Sequence, residues 1–210
     1  MSTKTEYNKR MKQLAIMQAA EETFLQKPYS STTVDEIAKK AGVTKRTLYS
    51  YFPSKLALFV QMFEDYLQKL HKRILSVAQT DLPVYQRFVN ILDELFAFNR
   101  ENEAFMRLFW TLDSDEFDGD LPEELKRSIQ FWNRDMIGTA VKVIKEGQRQ
   151  GVFVQCDPEM LVHMMSAFCK GIILHTNKEA KLSIADVTQE ELQAIFMELL
   201  HKGLFVPKQA

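Results

Sequence analysis

The sequence predicts an all-α fold, on three observations. Only seven Gly and six Pro occur in 210 residues. Four of the prolines, Pro53, Pro83, Pro122 and Pro158, stand where helical patterns begin, which suits proline in the first turn of a helix. Apolar residues recur at three- and four-residue spacing along most of the chain, with short polar breaks between the periodic segments. With 46% hydrophobic and 26% charged residues, the composition is that of an ordered globular chain rather than a disordered one.

Taken in order, the first helix is expected from about Lys9 to Gln26, with Leu14, Met17, Ala20 or Glu21, and Phe24 marking successive turns. Pro28 stops it. Thr33-Val34-Asp35-Glu36 is a capping box, in which the Thr33 hydroxyl accepts from the Glu36 amide while the Glu36 carboxylate reaches back to the Thr33 amide. The second helix starting there buries Val34, Ile37, Ala38 and Ala41, then meets Gly42, which can take the left-handed conformation that turns the chain. Val43 plugs the turn. Thr44 caps a third helix, Lys45 to Tyr51, with Leu48 and Phe52 inward and polar or aromatic residues outward.

After Pro53-Ser54 a long helix runs to roughly Ser76, with Leu58, Phe59, Met62, Phe63, Tyr66, Leu67 and Leu70 along one broad face. It is expected to link two domains. Further helices are expected at about 83–100, 102–112, 122–149, 158–177 and 188–204. The run Asp113 to Asp120, five acids in eight residues, reads as a solvated loop.

The net charge of −1 conceals an asymmetry. Residues 1–55 hold ten Lys or Arg against five acids, or +5, which leaves 17 against 23, or −6, for the remainder. A basic module on an acidic body points to a polyanion partner for the first part alone, because Lys and Arg gain affinity by displacing counterions condensed on phosphates. Two cysteines, Cys156 and Cys169, make no disulfide framework, and the N-terminus lacks an apolar signal-peptide core. No apolar run approaches the ~20 residues that span a bilayer. A cytoplasmic location, with no membrane partner, is the expectation.

Two short helices joined by Ala41-Gly42-Val43, with another helix behind them, make the arrangement that lays a recognition helix in the major groove of DNA. Val34, Ile37, Val43 and Leu48 would fix its angle, and Lys45, Arg46, Thr47 and Tyr49 would face outward. Thr32 and Thr33 before one helix and Lys55 in the first turn of another would meet phosphates.

The segment Thr33-Val34-Asp35-Glu36-Ile37-Ala38-Lys39-Lys40-Ala41-Gly42-Val43-Thr44-Lys45-Arg46-Thr47-Leu48-Tyr49-Ser50-Tyr51-Phe52-Pro53-Ser54-Lys55 closely resembles the signature of the TetR/AcrR family of transcriptional regulators. The resemblance covers residues 10–63 well; beyond them, only chain length and the succession of helices are similar. It implies a three-helix helix-turn-helix DNA-binding domain, residues 1–55, followed by a helical ligand-binding and dimerisation domain, residues 56–210. It further implies that Thr44 to Tyr51 is the recognition helix, that Tyr49, Tyr51 and Lys55 touch the DNA backbone, and that Thr33 caps the preceding helix near phosphate. The expected DNA-binding set is therefore Thr33, Thr44, Lys45, Arg46, Thr47, Tyr49, Ser50, Tyr51 and Lys55, with Lys45 or Arg46 able to address guanine O6 and N7. Two positions depart from the family pattern. Pro28 replaces the glycine that usually ends the first helix, and Leu56 stands where an acid commonly follows the lysine.

In the body, Leu192, Ile195, Phe196, Leu199 and Gly203 follow helical spacing in the last helix, while Ala167 and Gly171 in the preceding one permit close approach. The resemblance implies that these two helices pair with a second copy in a four-helix bundle, giving a homodimer on a palindromic operator. It also implies an internal pocket for a small effector. The candidates are Phe105, Phe109, Trp110, Phe131, Trp132, Asn133, Met136, His163, Met164 and Phe168, and their character suggests a hydrophobic or aromatic molecule. The function expected is a repressor released from DNA by its effector; the alternative is a DNA-associated adaptor with no effector.

Catalytic and metal chemistry find no support in the pattern, and no cofactor is expected. At 100° per residue, Cys169 lies about 240° and His175 about 120° around the helix from His163, so the three cannot converge on one metal. Setting Gly119 at position six of a calcium loop puts Ser114 at position one and Leu125 at position twelve, where carboxylates are needed. There is no P-loop, dinucleotide fingerprint or nucleophile elbow.

Overall fold

The computed structural model describes residues 2–110, 121–175 and 187–204. These residues hold nine helices and no strand: α1 (Ser2–Phe24), α2 (Val34–Lys40), α3 (Lys45–Tyr51), α4 (Lys55–Ala78), α5 (Val84–Glu101), α6 (Glu103–Trp110), α7 (Glu123–Arg149), α8 (Pro158–His175) and α9 (Gln189–Leu204). The all-α reading therefore holds. The acidic run Asp113 to Asp120 lies outside the described residues. No described helix is long and apolar enough to cross a membrane.

The described residues form two compact units, one holding 2–68 with 121–131, the other 69–110, 132–175 and 187–204. In the first unit α1 corrects the sequence reading twice. It starts at Ser2 rather than Lys9, because its first turns are polar on every side and carry no periodicity to detect. Its buried face is Ile16, Ala19, Ala20, Thr23 and Phe24, while Leu14 is 53% exposed. Thr23 rather than an apolar residue completes the stripe, and it can be buried because its hydroxyl donates to the Ala19 carbonyl at 2.6 Å. Phe24 meets Phe59 edge-on at 5.0 Å and stacks on Tyr29 at 6.0 Å, so α1 and α4 share one aromatic cluster with the loop between α1 and α2.

Helix starts are fixed by caps that sequence pattern only partly discloses. At α4 the Ser54 hydroxyl accepts from the Ala57 amide at 3.0 Å, so Ser54 caps the helix and Lys55 is its first residue. At α8 Pro158 is the first helical residue, and the Asp157 carboxylate accepts from the amides of Glu159 and Met160. At α9 Thr188 and Glu191 form a reciprocal capping box at 2.8 and 3.2 Å, which the sequence reading missed.

The core of the second unit includes Phe88, Phe96, Phe105, Ile144, Phe153, Met165, Cys169, Phe196 and Leu204. Gly147 is required there by contact, since a Cβ at this position would stand 2.2 Å from Cδ2 of Phe153. Arg87, largely buried, donates to the carbonyls of Ala78 and Leu82 and pairs with Glu146, joining the ends of α4 and α5 to α7. On α8 and α9 four large apolar side chains are left uncovered by the described residues: Met164, Phe168, Ile195 and Leu199 are 49%, 54%, 55% and 63% exposed.

Candidate nucleic-acid interface

The α2–α3 pair is built by local chemistry. The Thr33 hydroxyl accepts from the Glu36 amide at 3.3 Å, with Thr33 itself in extended conformation, as an N-cap requires. Glu36 also pairs with Lys27, and that bond, with a lesser one from the Thr33 amide, holds its carboxyl below the usual range. At the other end of α2 the amides of Gly42 and Val43 donate to the carbonyls of Lys39 and Ala38, the 5→2 and 6→1 bonds of a Schellman turn. Gly42 sits at φ +66°, with open space where a Cβ would stand, so backbone conformation rather than crowding demands glycine.

Helix α3 is held from beneath by Leu48, fully buried, and Phe52, 5% exposed. Its start is closed by the Thr44 hydroxyl, which accepts from the Thr47 amide at 3.1 Å and shares a hydrogen bond with the Thr47 hydroxyl at 2.9 Å. The Ser50 hydroxyl donates to the Thr47 carbonyl at 2.6 Å. Three hydroxyls of the expected DNA-binding set are thus engaged within the helix. Its outward surface carries Lys45, Arg46, Tyr49 and Ser50, with Tyr51 half-buried at the edge. Lys45 is bound to Asp35 of α2 at 2.7 Å, and that hydrogen bond, reinforced by charge, raises the lysine's pKa. Sequence reasoning missed Asp35, which stands ten residues away with no short-range pattern to link it to Lys45.

Lys55 is placed differently from the rest of its set. Its Nζ donates to the carbonyls of Tyr29 and Thr32 at 2.8 and 2.9 Å and lies 4.1 Å from the centroid of the Tyr29 ring. Farther along α4, the Tyr66 hydroxyl donates to Glu21 of α1 at 2.5 Å, and burial first, then Glu21, raises its pKa.

The residues expected to bind an effector differ in exposure. Phe105 is buried with Phe109 stacked beside it at 6.1 Å, and Trp132 meets His71 at 5.6 Å between ring centroids. Asn133 and Met136 are half-buried, while Phe131 and His163 are exposed. The side chain of Trp110 lies outside the described residues. Met164 and Phe168 are brought together, but on the uncovered face of α8, where with Ala167, Gly171, Ile172 and Leu192 they line an apolar groove of about 400 Å³. Phe168 also stacks on Phe196 of α9 at 5.7 Å.

Comparison with known proteins agrees with this geometry. Residues 16–62 match the family model described as bacterial regulatory proteins, tetR family. The uncharacterised HTH-type transcriptional regulator YhgD of Bacillus subtilis is 26% identical over 164 residues, 78% of this chain and 83% of its own. The nucleoid occlusion factor SlmA of a Marinomonas species is 27% identical over 188 residues, 88% and 93% of the two chains. Among solved structures, a transcriptional regulator from Saccharomonospora viridis in complex with choline superimposes with a TM-score of 0.76 at 16% identity, over 92% of this chain and 97% of the other. The matched segment is the one that builds α2, the Schellman turn and α3, and the likeness of fold extends through the body. Residues 16–62 are therefore a DNA-binding module of the tetR type, and the chain is a DNA-binding transcriptional regulator of that type.

Proposed function

We propose that the protein acts in the cytoplasm as a homodimeric repressor, reads a palindromic operator through α3, and is released by a small hydrophobic or aromatic effector. The observation that carries the reading of DNA is the outward surface of α3, where Lys45, Arg46 and Tyr49 stand over a buried Leu48 and Phe52. Arg46 is exposed and forms no ion pair among the described residues, so its guanidinium is ready for bidentate recognition of a guanine. Thr33, Thr44, Thr47, Ser50 and Tyr51 support that surface by capping, by bracing or from its edge.

A single α3 reads only a few base pairs, so specificity calls for two copies with half-sites about 34–36 Å apart. The uncovered face of Met164, Phe168, Ile195 and Leu199 supports pairing through α8 and α9, since so much adjoining apolar surface is ordinarily an interface. Continuity of α4 through residues of both compact units supports coupling between effector and DNA. An effector that favours a different separation of the two α3 helices must, by reciprocity, weaken operator binding. The domains would accordingly be a reading head of residues 1–55 and an effector and dimerisation body of residues 56–210.

The test is recovery of bound fragments from sheared DNA of the source organism at several salt concentrations. A palindromic site retained at high salt is the expected result; binding that is sequence-blind and lost with salt would overturn the operator reading. The resemblance to a nucleoid occlusion factor over 93% of that protein favours a second reading, an adaptor that uses DNA for localisation and has no effector. Many recovered sites lying outside promoters would favour the adaptor, and a few sites beside promoters the repressor.

A further inference from the structure

Lysine at the first position of α4 runs against the helix dipole. Helix N-termini favour acids, because the free amides and the aligned dipole make that end positive, and no acid occupies the first turn here. A cation held there needs compensating partners, and Lys55 has them on the loop between α1 and α2. An ammonium has three donors and no acceptor. Two of the three go to the Tyr29 and Thr32 carbonyls at 2.8 and 2.9 Å, and the Tyr29 ring lies 4.1 Å from Nζ. Both hydrogen bonds and the ring contact are to the loop. Burial, and secondarily Lys27, hold its pKa below the ordinary lysine value.

The loop is a compact turn. The hydroxyls of Ser31 and Thr32 donate to the Pro28 carbonyl at 3.1 Å, the Thr32 amide to the Tyr29 carbonyl at 3.2 Å, and Thr32 is 2% exposed. Thr33, the next residue, is the N-cap of α2. The Thr32 carbonyl is therefore the last fixed point before α2, and Lys55 is the group that fixes it. Tyr29 is anchored in turn against Phe59 of α4 at 4.9 Å.

We propose that Lys55 is a positioning residue for DNA binding, which straps the α1–α2 loop to α4 and so sets the angle of α2 and α3, rather than a ligand of DNA phosphate. The inference rests on the assignment of α3 as the recognition helix and adds to it the device that aims that helix.

The test compares full-length wild type with Lys55→Met, using a duplex selected from a random-sequence pool on the wild-type protein. The strap predicts binding weakened roughly tenfold, the weight of one charge-assisted hydrogen bond, with an unchanged slope of log affinity against log salt. It also predicts faster hydrogen exchange at amides 29–36 in the DNA-free variant. Loss of a phosphate contact would instead make the slope shallower by about 0.9, and that result overturns the proposal. Unchanged affinity with unchanged exchange overturns it as well. Lysine acylation of the wild type supplies a reading that needs no variant: Lys55 should react slowly both with and without duplex. Reaction as fast as at exposed Lys39 in the free protein, followed by protection on DNA, would contradict the strap. A wild type that bound no duplex at all would break the recognition-helix assignment, whereas the exchange comparison judges the strap without DNA.

Discussion

Two surfaces of this molecule are exposed for opposite reasons. On α3 the outward side chains are Lys45, Arg46, Tyr49 and Ser50, set over a sealed Leu48. On α8 and α9 they are Met164, Phe168, Ile195 and Leu199, apolar groups that water tolerates poorly. The first has the chemistry of a polyanion partner, whose phosphates reward each cation with released counterions. The second has the chemistry of a protein core divided between two chains. Under the proposed function the first face meets a different polymer and the second meets another copy of the chain, and each can be broken without touching the other.

The largest effect is expected from Leu199→Glu. A carboxylate at the centre of an apolar interface must be desolvated in both copies, which should weaken dimerisation by at least about 100-fold. Sedimentation or size-exclusion mass should fall to that of one chain while helix content stays unchanged. A dimer that persists in the variant would show that α8 and α9 do not form the interface. On the other face, Arg46→Ala should relax the preference at one operator position by about 1–3 kcal/mol, read by selection from a random-sequence pool. An unchanged sequence preference would remove Arg46 from the list of base readers.

The same contrast explains what could be read from the sequence. The reading head was legible because its signals are local. A capping box, a glycine that must turn left-handed and a second Thr cap fall within a dozen residues, and each reports its own backbone. The body was legible as helices, and their starts at Pro158 and near Pro83 and Pro122 followed from residue type. What an apolar residue on those helices covers was not legible. Phe105 and Phe168 are equally aromatic and stand on equally periodic helices, yet one is 1% and the other 54% exposed. Periodicity identifies an apolar stripe but not the neighbour that packs on it, so it did not disclose that Met164 and Phe168 line an open groove rather than a closed core. Long-range pairs were hidden for a related reason: nothing in spacing joins Asp35 to Lys45, Tyr29 to Lys55 or Arg87 to Glu146.

A smaller effect should separate the turn from the helices it joins. Gly42→Ala puts a Cβ into open space but at φ +66°, so the cost is conformational alone, about 1 kcal/mol. Chemical denaturation should register that loss, and DNA affinity should fall with it because the angle between α2 and α3 depends on the turn. Equal stability of the two proteins would mean that the turn relaxes to another conformation, which faster exchange at the Val43 amide would reveal.

The smallest expected effect bears most directly on how the reading face is kept in check. Lys45 belongs to the surface proposed to meet bases, yet in the free protein its ammonium is bound to Asp35 at 2.7 Å. Both side chains are at least half exposed, so the pair adds little to stability, and its exchange for a DNA contact is governed by competition. Asp35→Asn removes the competing carboxylate and one negative charge facing the phosphates. Affinity should rise roughly two- to fivefold at low salt, and the gain should shrink as salt screens both contacts. Unchanged affinity would mean that Lys45 stays on Asp35 in the complex and that Arg46 reads alone. A loss of affinity confined to one operator position would mean that Asp35 itself accepts from a base, as a carboxylate can from the amino group of cytosine. Each outcome assigns a different member of the α2–α3 pair to the DNA, and the apolar face of α8 and α9 is untouched by all three.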